Sequence, residues 1–369
     1  MTVRRPLRIV HTEASLGWGG QEIRLLTEAR RFAEEGHEVR LVCDVDSEIY
    51  RAAPRYGIET TPTHLKRKTI SSLQAIRRFF ADWQPDVVNS HSSVDHWLSA
   101  LARVGLTKPP AIVRTRHISA PVSRDFFTRW LYAKGCEFVM TTSKAIVADL
   151  TADGFLAIEH VAAVPTGIDT DAFSPGDCHS ARQALDLPGN AFIFGIVATL
   201  RSWKGHSYLL DAFADAENRE TLLVIVGDGP QEENLTAQIR SLGVQESVRM
   251  VGRQENVVPF LQAMNVFVLP SYANEGVPQA LLQAMACELP IIACPVGGIP
   301  ELVEGLEGVQ CVPQKDAEAL SNAMNRAMTD HVDAALRKAL RERVIDQYSL
   351  QNMYDRVVGV FETAIKRNM

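Results

Sequence analysis

The 369-residue sequence has no apolar run approaching the roughly 18 residues that cross a bilayer, which argues against a membrane-spanning helix. The opening Met1–Arg8 is basic, but the apolar stretch after it is too short for a signal peptide. Six cysteines are present and none are in CxxC spacing, and a disulfide scaffold is disfavoured. They are expected to be reduced structural thiols in a cytoplasmic protein. Also missing are short-period repeats, low-complexity tracts and any long basic block. Without a basic block there is no electrostatic footprint for nucleic acid.

The composition is otherwise that of a globular protein, 46% hydrophobic and 22% charged. This length suggests two domains. The net charge of −6 is unevenly spread: residues 1–175 hold 22 Lys+Arg and 20 Asp+Glu, the remainder 16 and 24. Such asymmetry hints at two units with different partners.

The hydrophobic pattern predicts two consecutive strand–helix series. Leu7–Val10 reads as a strand, Gln21–Glu35 as a helix with Ile23, Leu26, Phe32 and Ala33 on its buried stripe, and Val39–Val42 as the next strand. Further strands are predicted at Asp86–Val88, Ala111–Val113, Glu137–Met140 and Val161–Val164. After the turn-rich Ser174–Asp177, a second series opens at Phe192–Val197. It continues through Leu222–Val226, Val248–Val251, Val266–Leu269, Ile291–Ala293 and Gly308–Val312. Alternating strands and helices build doubly wound parallel sheets. A last helix is predicted from a Ser349 cap to about Lys366, with an apolar stripe through Tyr354, Val357, Val358, Phe361, Ala364 and Ile365 that needs a cover.

Several segments carry chemistry. Gly17-x-Gly19-Gly20 lies between a strand and a helix, where glycines and free amides admit a phosphate. A dinucleotide fingerprint fits poorly, because its third glycine would fall at Glu22. Asp44-Val45-Asp46 and Asp169-Thr170-Asp171 have the form of metal–diphosphate triplets, but solvated loop ends explain them as well. His91 and His117 both follow predicted strands, where open α/β sheets place ligands, and Arg114 and Arg116 beside His117 suit an anion. In Thr199–His206, Arg201 and Lys204 are placed for a diphosphate, or are surface charges. In Glu275–Ala286, Pro278 suits a first helical turn, which would free the amides near Gly276, Val277 and Gln279 for a phosphate. Glu275 is then free for sugar hydroxyls and Gln283 for a second hydroxyl pair.

Taken in order, these residues resemble a family 4 retaining glycosyltransferase of the two-domain GT-B fold, and the resemblance covers nearly the whole chain. It is carried by Gly19-Gly20, His117, Pro165–Asp169, Lys204-Gly205, Val224–Pro230 and the segment Glu275 to Gln283. The resemblance implies two Rossmann-like domains facing a central cleft. Residues 1–172, with a returning helix about 350–369, would form the acceptor side, and 173–349 would bind the nucleotide-sugar donor. It implies that Arg201 and Lys204 stabilise the leaving diphosphate with the amides after Glu275. Glu275, Gly276, Val277, Pro278 and Gln279 would hold the donor sugar and phosphates, Gln283 the ribose, and Val251 and Arg253 the base. Gly19, Gly20 and His117 would close over phosphate and sugar, with His91, Arg114 and Arg116 toward the acceptor. No metal or other cofactor is implied; the donor would be a UDP- or GDP-sugar and the acceptor a lipid-linked or cell-surface glycan. The sequence departs from the family twice: the usual second glutamate is Gln283, and the usual arginine after the strand is Thr199, with Arg201 assigned in its place.

The basic stretches His64–Lys68 and Arg77–Phe80 fit a peripheral contact with an anionic membrane on the cytoplasmic face, or a solvated loop and helix. The rival readings are a non-catalytic nucleotide-sugar-binding subunit, a nucleotide-sugar epimerase, and an NAD-dependent oxidoreductase using Gly17–Gly20.

Overall fold

The computed structural model describes residues 5–215, 221–330 and 332–369. It divides into two compact units, 1–167 with 350–369, and 168–349. The division falls at Gly167/Ile168, a few residues before the expected 172/173.

The first unit is a seven-stranded sheet with all neighbours parallel: β1 (Arg8–Glu13), β2 (Glu38–Cys43), β3 (Glu59–Pro62), β4 (Val87–Ser90), β5 (Ala111–Arg116), β6 (Phe138–Thr141) and β7 (Val161–Ala163). Their order is β3-β2-β1-β4-β5-β6-β7. Strand order reverses between β1 and β4, and that reversal opens a crevice at the carboxyl ends of these two strands. β3 was not predicted. Its sequence, ETTP, has no apolar run because it is a half-exposed edge strand. The helix Leu350–Asn368 supplies one wall of this unit's core. Met353, Tyr354, Val357, Val358, Phe361 and Ala364 pack with Ile9, Phe32, Val87 and Val113, which is the cover the stripe required. The helix begins directly after Ser349 and runs slightly past the expected Lys366.

The second unit is a six-stranded, all-parallel sheet of β8 (Phe192–Val197), β9 (Thr221–Val226), β10 (Val248–Met250), β11 (Val266–Leu269), β12 (Ile291–Ala293) and β13 (Val309–Cys311). The order is β10-β9-β8-β11-β12-β13, so the reversal falls between β8 and β11. β9 is buried at every position and β11 likewise, as a sheet covered on both faces requires. Among the described residues, no helix is long and apolar enough to cross a membrane.

Candidate active site

In the second unit the two strands flanking the reversal feed the two loops that the sequence singled out. β8 leads into Thr199–His206 and β11 into Ser271–Gln279. The loops are tied together by backbone contacts. The amide of Tyr272 donates to the Trp203 carbonyl at 2.8 Å. Gly205 sits at φ +78, and a Cβ there would lie 2.1 Å from the Pro270 carbonyl oxygen, so only glycine allows this approach. The tie brings Lys204 Nζ to 2.6 Å from Glu275 Oε1, a contact between residues 71 apart in sequence. Glu275 is in turn held from behind: the Gly298 amide donates to the Gly276 carbonyl at 2.9 Å, and Gly297 packs on the Glu275 backbone at φ +60. A Cβ on Gly297 would lie 2.0 Å from the Glu275 carbonyl oxygen.

The helix after Glu275 spans Gln279–Ala286. Pro278 is its N-cap rather than its first helical residue, and it brings no side-chain cap. The amides at the helix start are therefore uncapped and available to an anion. Gly276, Val277 and Pro278 are buried just ahead of them. Gln283 is also buried, on a helix whose Leu281, Leu282, Ala284, Met285 and Ala286 are buried all round. The apolar face read from the sequence was narrower than this. Three buried polar groups on these loops and this helix have no hydrogen-bond partner among the described residues: both ring nitrogens of His206, Ser271 Oγ and Gln279 Oε1. Buried polar atoms are rarely left so, and among the described residues of the second unit all of them fall on these loops and this helix. Burial, assisted by the Lys204 charge, pushes His206 down to about 4.

Arg201 is exposed and turned onto Trp203, its guanidinium 5.7 Å from the ring centroid, rather than joined to the Lys204–Glu275 pair. Val251 is half-buried and Arg253 exposed, both beyond β10. A cavity of about 130 Å³ lies elsewhere in this unit. Phe192, Val266 and Ile291 line it from the amino ends of β8, β11 and β12, away from the Lys204 loops.

In the first unit the reversal between β1 and β4 is lined by a buried polar cluster. Gly19 caps the helix Gly20–Glu34 in an extended conformation, with no side-chain cap. His91 and His117 do come together: His91 Nδ1 lies 2.9 Å from His117 Nε2. His11, which the sequence reading passed over, lies 3.0 Å from His91 through its Nδ1. Arg114 is engaged structurally, donating to the carbonyls of Ser90 and Ser92. Arg116 is half-buried at the end of β5, with Nε and one terminal nitrogen unpartnered among the described residues.

Sequence reasoning missed the charged residues of this cluster. Glu22, Arg24 and Glu28 lie on the buried face of the first helix, beside Leu25, Leu26 and Phe32. Glu28 accepts from Asn89, whose oxygen accepts from Thr115. Asp95 accepts from Thr12 and from the His91 amide. Burial, with the negative charges of Asp95 and Glu22, pushes Glu13 up to about 8. The available signal was spacing, since these charges fall at the helical positions of the apolar stripe.

The aspartate triplets serve the backbone. Asp44 is buried, accepting from the amides of Asp46 and Lys66, and Asp169 accepts from those of Asp171 and Ala172. Among the described residues no group of three His, Cys, Asp or Glu is arranged to hold a metal. The second basic stretch also divides: Phe80 is core, and Arg77 donates to the carbonyls of Ala102 and Val104 at the end of the helix Ser93–Ala102. Lys66, Arg67 and Lys68 remain exposed, with Lys68 over the Trp97 ring.

Two sequence profiles cover this chain. "Glycosyl transferases group 1" matches residues 179–347 and "Glycosyltransferase Family 4" matches residues 18–172. Among curated relatives, the D-inositol 3-phosphate glycosyltransferase of Actinosynnema mirum is 30% identical, over 82% of this chain and 78% of its own length. That of Stackebrandtia nassauensis is 25% identical over 95% and 88%. An Escherichia coli UDP-Gal:alpha-D-GlcNAc-diphosphoundecaprenol alpha-1,3-galactosyltransferase is 25% identical over 80% and 79%. Among solved structures, a Rickettsia africae glycosyltransferase superimposes with a TM-score of 0.86 at 18% identity, covering 98% of this chain and 100% of the other. The Anabaena protein HepE in complex with UDP-glucose gives 0.85 at 19% identity, covering 97% and 100%. The chain belongs to glycosyltransferase family 4 and has the GT-B fold. It is a group 1 glycosyltransferase.

Proposed function

We propose that the chain transfers a sugar from a UDP- or GDP-linked donor to a hydroxyl of a lipid-linked or cell-surface glycan, with retention of anomeric configuration and without a metal. The observation that carries this reading is the Lys204–Glu275 pair beside an uncapped helix start at the reversal of the second sheet. Preorganised cations and amides act most strongly where charge develops in the transition state, here on the departing diphosphate. Lys204 is the principal cation and Arg201 swings from Trp203 to assist it. Glu275, fixed by Gly297, exchanges part of its contact with Lys204 for hydroxyls of the donor sugar. Gln283 binds the ribose as a neutral hydrogen-bonding group, and Val251 and Arg253 meet the base. The leaving phosphate oxygen takes the acceptor's proton as the new glycosidic bond forms on the face the diphosphate leaves.

In the first unit, Gly19 is extended, a conformation that any residue adopts, and the start of the helix Gly20–Glu34 has no side-chain cap. We assign that helix start, with Gly20 and His117, to the donor phosphates and sugar, and Arg116 to the acceptor side, with His91 and Arg114 buried behind it and engaged by His11, His117 and the Ser90 and Ser92 carbonyls. The names of the similar proteins support a nucleotide-sugar donor, since HepE was solved with UDP-glucose and the E. coli relative is named for UDP-Gal. A lipid-linked acceptor is supported by that relative's diphosphoundecaprenol substrate. Lys66, Arg67 and Lys68 would meet an anionic membrane surface; binding to anionic vesicles that survives their neutralisation would remove this contact.

Thermal shifts with UDP, GDP, ADP and NAD⁺, each without metal, test the reading. A ligand at ~100 times its dissociation constant adds about 2.7 kcal/mol. A shift with one nucleoside diphosphate that is lost in Lys204→Ala is expected, and a shift with NAD⁺ alone would overturn it. The anomeric configuration of the product, read by NMR, tests retention.

A further inference from the structure

Three adjacent strands of the first sheet carry a histidine toward their carboxyl ends: His11 lies within β1, and His91 and His117 directly follow β4 and β5. His11 on β1 pairs in register with Asn89 on β4, and His91 lies two residues further along that strand's direction. Ser90 pairs with Arg114 on β5, and His117 lies three residues beyond Arg114. The histidines therefore climb from inside the sheet to its carboxyl edge. His11 Nδ1 meets His91 Nε2 at 3.0 Å, and His91 Nδ1 meets His117 Nε2 at 2.9 Å. The rings are near-parallel, with centroids 5.3 and 5.2 Å apart.

All three rings are held neutral. Burial pushes His11 down to about 3. Burial acts on His91 and His117 as well, and the Arg114 and Arg24 charges oppose a proton on either. A neutral imidazole has one N–H and one lone pair. Two successive nitrogen–nitrogen contacts then allow only two arrangements. With every N–H pointing inward, His117 donates through Nε2, and His11 is left with an Nε2–H deep in the protein. With every N–H pointing outward, His11 keeps a lone pair at Nε2, and His117 carries its proton on Nδ1.

The inner end decides between them. His11 Nε2 is buried and has no partner among the described residues. Orphaned buried N–H groups are among the rarest features of folded proteins, rarer than unused acceptors. Either arrangement leaves His11 Nε2 unpartnered among the described residues, and the outward one leaves there a lone pair, the less rarely orphaned of the two groups. We propose that His91 and His11 are positioning residues that hold His117 as its Nδ1–H tautomer, so that a hydrogen-bond donor faces outward at the carboxyl edge of the sheet. The group it suits is an acceptor-only oxygen, a phosphate oxygen or a sugar oxygen with a free lone pair. An unconstrained neutral imidazole favours the opposite, Nε2–H form, so the chain reverses an intrinsic preference.

The use of that donor in transfer rests on the role given to His117 above, but the tautomer does not. It is therefore tested on the full chain without ligand, by long-range ¹H–¹⁵N spectra of protein labelled in histidine nitrogen, with His117 assigned by loss of its signals in His117→Gln. The expected wild-type result is a protonated Nδ1 and an unprotonated Nε2 on His117. In His91→Phe, which fills the space without hydrogen bonds, His117 should revert to Nε2–H, and His91→Gln, which can both donate and accept, should restore Nδ1–H. An Nε2–H form in the wild type overturns the proposal, and so does an Nδ1–H form that persists in folded His91→Phe. The wild-type spectrum decides the first point even if a variant fails to fold. A correct tautomer in a protein that does not transfer sugar would count against the function and not against the chain of histidines.

Discussion

Removing the Lys204 side chain leaves the Glu275 carboxylate facing the space its partner filled. The two side chains are 18% and 6% exposed, and their contact is 2.6 Å. Deleting one member of a fully buried pair costs about 3–5 kcal/mol, because the other charge stays desolvated and alone. Water reaching the partly exposed lysine position reduces this to roughly 2–3 kcal/mol. For a unit of roughly 180 residues, each kcal/mol moves the midpoint by about 2–4 °C, so Lys204→Ala should lower it by about 4–12 °C. Lys204→Met combined with Glu275→Gln removes both charges, and it should recover most of that loss, since no uncompensated charge remains. Calorimetry on the whole chain reads the shift, and a transfer assay on the same samples should find both variants inactive. A midpoint within 1 °C of wild type in the single variant, or additive losses in the double, would refute the ion pair. A transfer rate in Lys204→Ala near the wild-type value would refute the site.

Other perturbations test neighbouring parts of the argument. Gly297→Ala forces a side chain into a left-handed conformation and against the Glu275 carbonyl oxygen; about 2–4 kcal/mol of destabilisation is expected, together with a loss of nucleoside diphosphate binding by titration calorimetry. His206 has its folded value below its unfolded one, about 4 against 6.5, so the unfolded state takes up its proton first. The stability it supports is full above 6.5 and is lost as pH falls toward 4. His206→Leu should accordingly flatten the acid limb of urea-denaturation stability by about 2–3 kcal/mol between pH 7 and 4.5, and parallel curves would contradict this. Glu13 behaves in the opposite sense: its folded value is raised from 4.5 to about 8, so the folded state holds the proton longer. Wild-type stability should therefore fall through that window as pH rises, and Glu13→Gln should gain on it steadily.

Most strands could be read because parallel sheets covered on both faces are written as short apolar runs. The reading stopped early at the strand ends that matter. β1 was ended at Val10, but it continues through His11, Thr12 and Glu13, all buried. Polar residues look like the start of a loop unless the fold supplies partners for them. Here Asp95, His91 and Gln21 do so from elsewhere in the chain. The helix Gly20–Glu34 misled in the same way, because Arg24 and Glu28 share its buried face and satisfy part of each other's charge. In the second unit the motif residues were visible individually. The meeting of Lys204 with Glu275 was not, because it depends on how two loops 71 residues apart are tied at Gly205 and Tyr272. Sequence rules fail where polar groups are buried in numbers, and these are the places where function is usually found.

The helix Leu350–Asn368 gives the chain an order of assembly. The first unit is written from residue 5 to 167, then interrupted by the whole of 168–349, and closed only by this helix. On a ribosome adding roughly 5–20 residues each second, the interval is on the order of ten to thirty-five seconds. Through that time Ile9, Val87 and Val113 of the sheet, with Phe32 of the helix Gly20–Glu34, form an apolar face with its final cover not yet made. The second unit, contiguous in sequence, can finish first although it is begun second. A nascent chain of this protein thus carries an open apolar face for about half of its synthesis, and a chaperone that shields such faces would find its substrate in the half that was translated earliest.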